Sequence, residues 1–368
     1  MSAPAVAASD PMAWRRSSFA SAAEYTLTLS PSHRGEIAAV TRALAADGRL
    51  AAPQALSRDA FAFPTLGPLL KKAYDEVRTG RGFVLLRGLP LDDGFDTFSA
   101  AVWGIGAHFG TGLSQNAQGE LIGHVIDASK QDATPRMYRS NLELRLHNDM
   151  TAMLSLACWH KSAAGGATFL ASAATIHDEI KRRAPELLPA LYRGFHYHRL
   201  GEEAEGQEPV SPFRMPVFAF VAGQMSCRYQ RAGVAAGHRA ANVPLTDTEL
   251  AALDLFDEVA RAPENRLAFY LERGDMLVVN NYTMLHARTK FTEFAEPEKR
   301  RHLVRLWLDA PDFRSVPPEL HLFGVNGVPP QPGRSCTFDF RKLYGDDPRA
   351  TGGVPDAQLS DVELAHGR

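Results

Sequence analysis

Residues 273–286 read Arg-Gly-Asp-Met-Leu-Val-Val-Asn-Asn-Tyr-Thr-Met-Leu-His, and this stretch decides the fold class. A turn signal, Arg273-Gly274-Asp275, precedes the short apolar run Met276–Val279, which is typical of a buried β-strand. Many short strands joined by turns favour a barrel or a sandwich over a parallel α/β sheet. Similar short runs recur at Leu121–Ile126, Leu142–Leu146, Met153–Trp159, Val217–Val221, Leu267–Leu271 and Leu303–Leu308.

Helical patterns lie before these strands and between them. Two segments interrupt the strands, near Ala174–Arg183 and Thr246–Arg261, where apolar residues recur at helical spacing. The sequence therefore predicts a mainly β fold with α inserts, in which a β-jelly-roll core carries N-terminal helices and a large helical insert. In the N-terminal part the same spacing predicts helices over Ser32–Asp47, Leu66–Thr79 and Phe95–Phe109, with a buried strand at Phe83–Leu86.

The chain shows no linker-like stretch of Gly, Ser or charged residues, which predicts one domain. We expect a disordered N-terminus over residues 1–12, because this segment is small and rich in Pro and Ala. The single jelly-roll domain is expected over 13–345, with a C-terminal tail over 346–368. From Pro311 onward the chain is rich in Pro and Gly, which predicts a segment that wraps the surface.

Composition and charge exclude several classes of protein. Forty basic and forty-two acidic residues give a formal charge of −2, so the basic excess of a nucleic-acid-binding protein is absent. No window approaches the ~20 consecutive apolar residues of a membrane span. Arg15-Arg16 is followed by no apolar segment, which argues against an export signal. The three cysteines, Cys158, Cys227 and Cys336, form no CxxC pair and fit a reducing compartment, so we expect a cytoplasmic protein.

The tripeptide His147-Asn148-Asp149 places two metal-ligating side chains at positions i and i+2. On an extended segment these positions project from one face, so an imidazole and a carboxylate can reach the same ion. His286 is the candidate third ligand. Two histidines and one carboxylate on one face of an octahedron leave three positions open, as in non-haem iron(II) oxygenases. A His-x-Asp pair alone is a weak signal that arises by chance, and the features that follow add to it.

Two further features predict a buried anion site. Arg301 and Arg305 lie four residues apart in an extended segment, so both side chains point to one face. A planar guanidinium binds a carboxylate through two hydrogen bonds. A surface charge pair is the alternative, but the apolar neighbours Leu303, Val304, Leu306 and Trp307 favour a buried strand. Gly165-Gly166-Ala167-Thr168 forms a turn that lets the backbone approach a ligand and offers the Thr168 hydroxyl.

These motifs, in this order, resemble the taurine dioxygenase family, which includes herbicide-degrading and γ-butyrobetaine-type oxygenases. The likeness runs from about Gly82 to Ala310. It implies a double-stranded β-helix and the cofactors Fe(II), 2-oxoglutarate and O2. It also implies roles for single residues. His147, Asp149 and His286 are the expected iron ligands and therefore the expected catalytic residues. Arg301 and Thr168 are expected to bind the C5 carboxylate of 2-oxoglutarate. Arg305 is expected to contact an anionic group of the substrate or to support the cofactor. Arg300 and Arg305 remain alternatives to Arg301.

The reaction implied by the resemblance oxidises a C–H bond of the substrate while 2-oxoglutarate becomes succinate and CO2. Halogenating relatives lack the carboxylate ligand, so Asp149 argues against halogenation, whereas hydroxylation, desaturation, ring formation and cleavage stay open. Residues near the metal motif hint at a small polar substrate with a carboxylate or similar anion. They are Tyr138, Arg139, Asn141, Arg145 and Asn281, together with Arg305; an ordered surface loop over Tyr138–Asn141 is the alternative.

Two other classes of protein compete with this hypothesis. A jelly-roll hydrolase or isomerase could use Zn or Mn at the same three ligands without 2-oxoglutarate. The pair Arg301 and Arg305 argues against it, because a water-activating metal site needs no remote anion clamp. A ligand-binding or scaffold protein that merely keeps the fold would not need all three metal ligands. We expect a small-molecule substrate, with no nucleic-acid or membrane partner, and a homo-oligomer stays open.

Overall fold

The computed structural model describes residues 10–129, 136–331 and 333. The predictions for residues 1–9, for the tail over 346–368 and for Cys336 lie outside the described residues. Within the predicted N-terminal segment, Met12 is 5% exposed, and its carbonyl oxygen accepts a hydrogen bond from the Ser172 hydroxyl. This end of the described chain is therefore packed against the fold.

The strands are short and begin mostly after turns, as the apolar runs predict. Their bounds are β1 Thr26–Thr28, β2 Phe83–Arg87, β3 Thr111–Leu113, β4 Ile122–Val125, β5 Leu144–His147, β6 Met153–His160, β7 Ala164–Gly165, β8 Thr168–Ser172, β9 Phe218–Val221, β10 Gln224–Cys227, β11 Arg266–Phe269, β12 Asp275–Asn280, β13 Met284–Arg288, β14 Phe291–Thr292 and β15 His302–Asp309. Each predicted run coincides with a strand to within about two residues at either end.

The helices lie where the sequence predicts them, with two additions. Their bounds are α1 Pro31–Ala46, α2 Gly67–Arg78, α3 Phe95–Gly106, α4 Ala173–Arg183, α5 Leu188–Arg193, α6 Arg231–Ala240 and α7 Asp247–Arg261. The Ser30 hydroxyl caps α1 by accepting from the backbone N–H of His33, and Thr246 with Glu249 forms a capping box at α7. Among the described residues, none of these helices is long and apolar enough to cross a membrane.

The expectation of only two helical segments in the insert between β8 and β11 was wrong. The structure adds α5 and α6 to α4 and α7. Helix α5 has six residues, which is too short for a periodic pattern. Helix α6 reads Arg-Ala-Gly-Val-Ala-Ala-Gly-His-Arg-Ala, and its two glycines weaken the helical signal. Its packing against the rest of the fold, rather than its propensity, therefore stabilises it.

Two sheets form the core. Within the described residues the larger has seven strands, ordered β1-β2-β12-β6-β15-β3 with β4 also paired to β15, and the smaller has the order β11-β8-β13-β5. Every neighbouring pair is antiparallel except β1 and β2. Two short antiparallel pairs, β9 with β10 and β7 with β14, lie beside them. This is the mainly β jelly-roll core that the sequence predicts.

Side-chain alternation along each strand produces two apolar layers. On β2, Phe83 and Leu85 join the cluster enclosed between the sheets, whereas Val84 and Leu86 join the cluster beneath the N-terminal helices. On β15, Leu303 and Trp307 face the space between the sheets. Because Arg301 and Arg305 have the same parity as these two residues, their side chains also point inward, as the spacing predicts.

The segment after Pro311 does more than wrap the surface, which corrects the expectation. Leu320 and Leu322 are buried in the cluster that the helices cover, and Val328 is buried in the cluster between the sheets. Backbone N–H groups of this segment donate to Met150 and Ser114. The segment therefore closes one end of the jelly roll.

The turn at Gly165-Gly166 brings the chain close to β14 and to the arginine at the start of β15. Both glycines have positive φ, +71° and +76°. A Cβ at Gly165 would collide with the Lys290 carbonyl oxygen, and a Cβ at Gly166 would lie 3.5 Å from Nε of Arg301. Glycine is required at the first position by space as well as by conformation.

We expect Gly165→Ala to lower the free energy of unfolding by about 1–3 kcal/mol from backbone strain, with the collision adding to it. Gly67→Ala is the matched control, because Gly67 begins α2 and has open space where a Cβ would lie. Urea denaturation measures both. Equal stability of the two variants would contradict the requirement for glycine at residue 165.

Candidate metal and co-substrate site

The two histidines predicted as ligands lie on neighbouring strands of the smaller sheet. His147 ends β5, and it is directly opposite His286 in the antiparallel pairing of β5 with β13. The centroids of their rings are 4.2 Å apart. Facing residues on one side of an antiparallel pair have Cβ atoms only about 4.5–5.5 Å apart, so the register alone brings these imidazoles together.

Asp149 completes the group from just beyond the end of β5. Its Oδ1 atom is 3.5 Å from Nε2 of His147, and its Oδ2 atom is 4.0 Å from Nε2 of His286. One ligand atom from each of the three residues lies within 4.8 Å of the other two. Among the described residues this is the one such group of three that could hold a metal ion.

The protonation of these side chains suits a divalent cation. Nδ1 of His147 is 2.8 Å from the Arg145 carbonyl oxygen, so Nδ1–H donates and Nε2 is the nitrogen that faces Asp149. Burial, with the neighbouring His147, lowers the pKa of His286 to about 3. Burial raises the pKa of Asp149, but Arg305 and the two histidines outweigh it and hold that pKa below its usual range. Two imidazoles and one carboxylate fit an iron(II) site.

Asn148, between the two ligands, points away from them and anchors the motif. Its amide nitrogen donates to the carbonyl oxygens of Asn281 at 2.9 Å and Met284 at 3.0 Å. Its side-chain oxygen accepts from the backbone N–H of Tyr229 at 3.0 Å. The side chain is 1% exposed, so water cannot replace these bonds. Asn148 therefore ties the metal motif to β13 and to the chain that follows β10.

Two more buried side chains hold the backbone of Asp149. The amide of Asn281 accepts from the Asp149 N–H at 3.2 Å and donates to the carbonyl oxygens of Asp149 and Thr151. Arg228, fully buried, donates to the same two carbonyl oxygens and stacks 4.3 Å from the Tyr282 ring. The turn that carries the carboxylate ligand is therefore fixed from both sides.

Arg301 has the features of an anion site. It is 5% exposed, and among the described residues no hydrogen-bond partner reaches its Nη1 atom. Burial lowers its pKa to about 10, so the guanidinium stays charged at neutral pH. Thr168, on β8, borders the same cavity. A buried cation with an unused donor fits a carboxylate, which is what a bound 2-oxoglutarate would supply.

The other two arginines are differently engaged. Arg305 donates from Nε to Oε1 of Gln115 at 2.7 Å and from Nη1 to Oδ2 of Asp149 at 3.2 Å. Arg300 lies outside the cavity and donates to the carbonyl oxygens of Phe294 and Ala295 at 3.4 Å. Of the three arginines considered for the keto acid, Arg301 is thus the one whose guanidinium makes no hydrogen bond to the described residues.

The metal ligands open into a cavity of about 220 Å³ between the sheets and the helical insert. Tyr138 and Arg145, two of the predicted substrate residues, line it. Arg139, Asn141 and Asn281 do not line it. Asn281 is fully buried, with its amide engaged by the backbone of the metal motif. The geometry thus supports a binding role for the first two only.

Sequence reasoning missed three residues that touch the site. Trp307 donates from Nε1 to Oδ2 of Asp149 at 2.8 Å, Gln115 holds Arg305, and Arg228 holds the backbone of Asp149. Trp307 follows Arg305 by two residues on the same strand, so the sequence could have shown that both side chains point to the same face. Gln115 and Arg228 come from distant segments, and only the fold brings them here.

Comparison with known proteins yields one family and several relatives. The model of the taurine catabolism dioxygenase TauD, TfdA family matches residues 47–307. The chain is 31% identical over 324 residues to FR-33289 synthase of Streptomyces rubellomurinus, which covers 86% of this chain and 94% of that protein. It is 27% identical over 311 residues to the taurine hydroxylase-like protein SAT17 of Stachybotrys chartarum, covering 81% and 78%.

Solved structures share the architecture at low sequence identity. An asparagine oxygenase in complex with Fe(II), 2S,3S-3-hydroxyasparagine and succinate has a TM-score of 0.61 at 18% identity, covering 77% of this chain and 93% of that chain. The non-heme iron oxygenase OrfP with Fe and alpha-ketoglutaric acid has a TM-score of 0.58 at 16% identity, covering 77% and 93%. These likenesses confirm the jelly-roll fold.

We expect Asn148→Ala to lower the free energy of unfolding by about 1–3 kcal/mol, because it leaves buried carbonyl and N–H groups without partners. The control is Asn141→Ala. Asn141 is only partly buried, and its replacement should change stability by less than about 0.5 kcal/mol. Thermal and urea unfolding of both variants check this. Similar losses in the two variants would contradict the anchoring role of Asn148.

Proposed function

Because the chain belongs to the taurine catabolism dioxygenase TauD, TfdA family, we propose that His147, Asp149 and His286 hold the iron ion of its active site. The protein is an Fe(II)- and 2-oxoglutarate-dependent oxygenase. The observation that supports the ligand assignment is the convergence of two imidazoles and one carboxylate in a buried cavity.

Arg301 binds the C5 carboxylate of 2-oxoglutarate in this proposal, and the Thr168 hydroxyl assists it. The support is the buried, unused Nη1 donor of Arg301 in the cavity that the ligands border. Gly166 has no side chain to fill the space beside Nε of Arg301, so the guanidinium can lie against the turn. The Arg301 charge would otherwise remain buried without a counter-charge at Nη1, which is costly.

The substrate in this proposal is a small polar or anionic molecule rather than a nucleic acid. We also propose that the protein acts in the cytoplasm. Arg145 and Arg231 border the cavity together with Tyr138, whose ring lies 4.1 Å from the Arg305 guanidinium. Cationic walls of this kind favour an anion. The cavity of about 220 Å³ limits the size of the substrate.

When bound, Fe(II) and 2-oxoglutarate supply an oxidant for an unactivated C–H bond, with succinate and CO2 as co-products. The chain supplies the surroundings. Arg301 orients the keto acid, the His147–His286 pair and Asp149 set the position of the ion, and the apolar side chains Leu156, Leu303 and Val328 exclude water. Hydroxylation of the substrate is the outcome that we propose.

A hydrolase or isomerase that uses the same three ligands is the competing function. It would need a metal and a water molecule but no buried guanidinium at a distance from the metal. The burial of Arg301 at 5% exposure, with an unused donor, therefore favours the keto-acid-dependent reaction.

The test is an anaerobic titration of the apo-protein with Fe(II) and then with 2-oxoglutarate. We expect a weak visible metal-to-ligand charge-transfer band, because chelation of the ion by the keto acid produces it. The band should be lost in His286→Ala and retained in His33→Ala, since His33 lies in α1 far along the chain from the ligands. Iron binding without the band would favour the hydrolase or isomerase.

We expect Arg301→Gln to raise the apparent dissociation constant of 2-oxoglutarate by about 30-fold or more, because a buried charge pair is worth at least ~2 kcal/mol. Iron binding should be unchanged. Arg300→Gln is the matched control, since Arg300 lies outside the cavity. The charge-transfer band measures the dissociation constant of 2-oxoglutarate in both variants. If Arg305→Gln alone has this effect, Arg305 rather than Arg301 binds the keto acid.

A further inference from the structure

The two oxygens of the Asp149 carboxylate have different surroundings. Oδ2 accepts a hydrogen bond from Nε1–H of Trp307 at 2.8 Å and another from Nη1 of Arg305 at 3.2 Å. Oδ1 lies 3.5 Å from Nε2 of His147 and accepts neither of these bonds, and Oδ2 also lies 4.0 Å from Nε2 of His286. The side chain is 10% exposed, so water does little to even out this difference.

The two donors are themselves held in place. Arg305 and Trp307 are two residues apart on β15, so they project to the same side of the sheet. Gln115 accepts from Nε of Arg305 and donates to its carbonyl oxygen, at 2.7 Å and 2.9 Å. The Tyr138 ring covers the other side of the guanidinium. Neither donor can leave Oδ2 without disturbing packed neighbours.

We infer that Trp307, together with Arg305, is a positioning residue that engages Oδ2 of Asp149 in hydrogen bonds and would leave Oδ1 as the one ligating oxygen. This inference rests on the proposed function, since it assumes that the three ligands hold a metal ion. A carboxylate that bound through both oxygens would occupy one of the positions that the co-substrates need. Groups that hydrogen-bond to metal ligands typically change metal affinity or activity by 10–100-fold.

The inference also changes the role expected for Arg305. Its Nη1 donor is used by Asp149 and its Nε by Gln115, so much of its hydrogen-bonding capacity is spent within the protein. Arg305 therefore acts on the reaction through the carboxylate ligand. Arg301, with its unused donor, is left as the anion-binding group of the strand.

The test compares Co(II) binding to the apo-protein in a double-mutant cycle, because Co(II) binds imidazole and carboxylate ligands and absorbs in the visible. We expect Trp307→Phe to raise the dissociation constant of Co(II) by about 10–100-fold. In an Asp149→Ala background the same substitution should change it by less than about twofold, since Trp307 acts through Asp149. A merely structural role would weaken binding equally in both backgrounds.

Trp103→Phe is the matched control. Trp103 is also 6% exposed, and its Nε1–H donates to the Leu56 carbonyl oxygen at 3.0 Å, away from the metal ligands. It should leave Co(II) affinity within about twofold of the parent. If Trp307→Phe does not fold, Arg305→Gln replaces it in the cycle, and an equal loss in the two backgrounds overturns the inference.

The outcomes separate this inference from the proposed function. Co(II) binding that His286→Ala abolishes but Trp307→Phe leaves unchanged would overturn the positioning role and keep the metal site. Failure of the parent protein to bind Co(II) would remove both. A loss confined to the background that contains Asp149 supports the inference.

Discussion

The site depends first on the register between β5 and β13. That register sets His147 directly opposite His286, next to a β-bulge that separates this pair from the pair Leu144 and Arg288. A shift of one residue would turn one imidazole to the other side of the sheet and separate the ligands. The bonds from Asn148 to the Asn281 and Met284 carbonyl oxygens secure the register where it matters most. The metal site is thus a consequence of strand pairing.

The second requirement is electrostatic. Arg228, Arg301 and Arg305 are all buried in this region, and Arg305 pairs with the Asp149 carboxylate at 3.2 Å. Arg228 is satisfied by backbone carbonyl oxygens, and Arg305 by Asp149 and Gln115. The Nη1 donor of Arg301 has no hydrogen-bond partner among the described residues. The Arg301 guanidinium is therefore a buried positive charge that a bound anion would stabilise. A keto acid would supply that negative charge, and a water molecule would not.

The cavity is lined on one side by β-strands, called its floor here, and on the other sides by segments outside the two sheets, called its walls. The floor is β-sheet, so its residues have positions fixed by pairing. The walls come from the insert, which contributes Arg231 and Gln230, and from the segment after Pro311, which contributes Leu322 and Phe323. The sheet residues of such a site can stay the same while the residues of the walls change. The oxidation chemistry and the choice of substrate therefore depend on different parts of the chain.

The sequence by itself determined the strand pattern and the N-terminal helices and pointed to His147 and Asp149 as candidate ligands, because strand alternation and the His-x-Asp spacing are local properties. It also determined that the side chains of Arg301 and Arg305 point to one face. Only the tertiary structure decided what each inward-facing group contacts. Parity shows that a side chain points into the core, but the partner comes from a strand or loop more than a hundred residues away, as Asp149 does for Trp307 and Gln115 for Arg305. For the same reason Asn281 was expected at the substrate and lies instead behind the metal motif, since its contacts are set by the packing of three segments and not by its neighbours in the sequence.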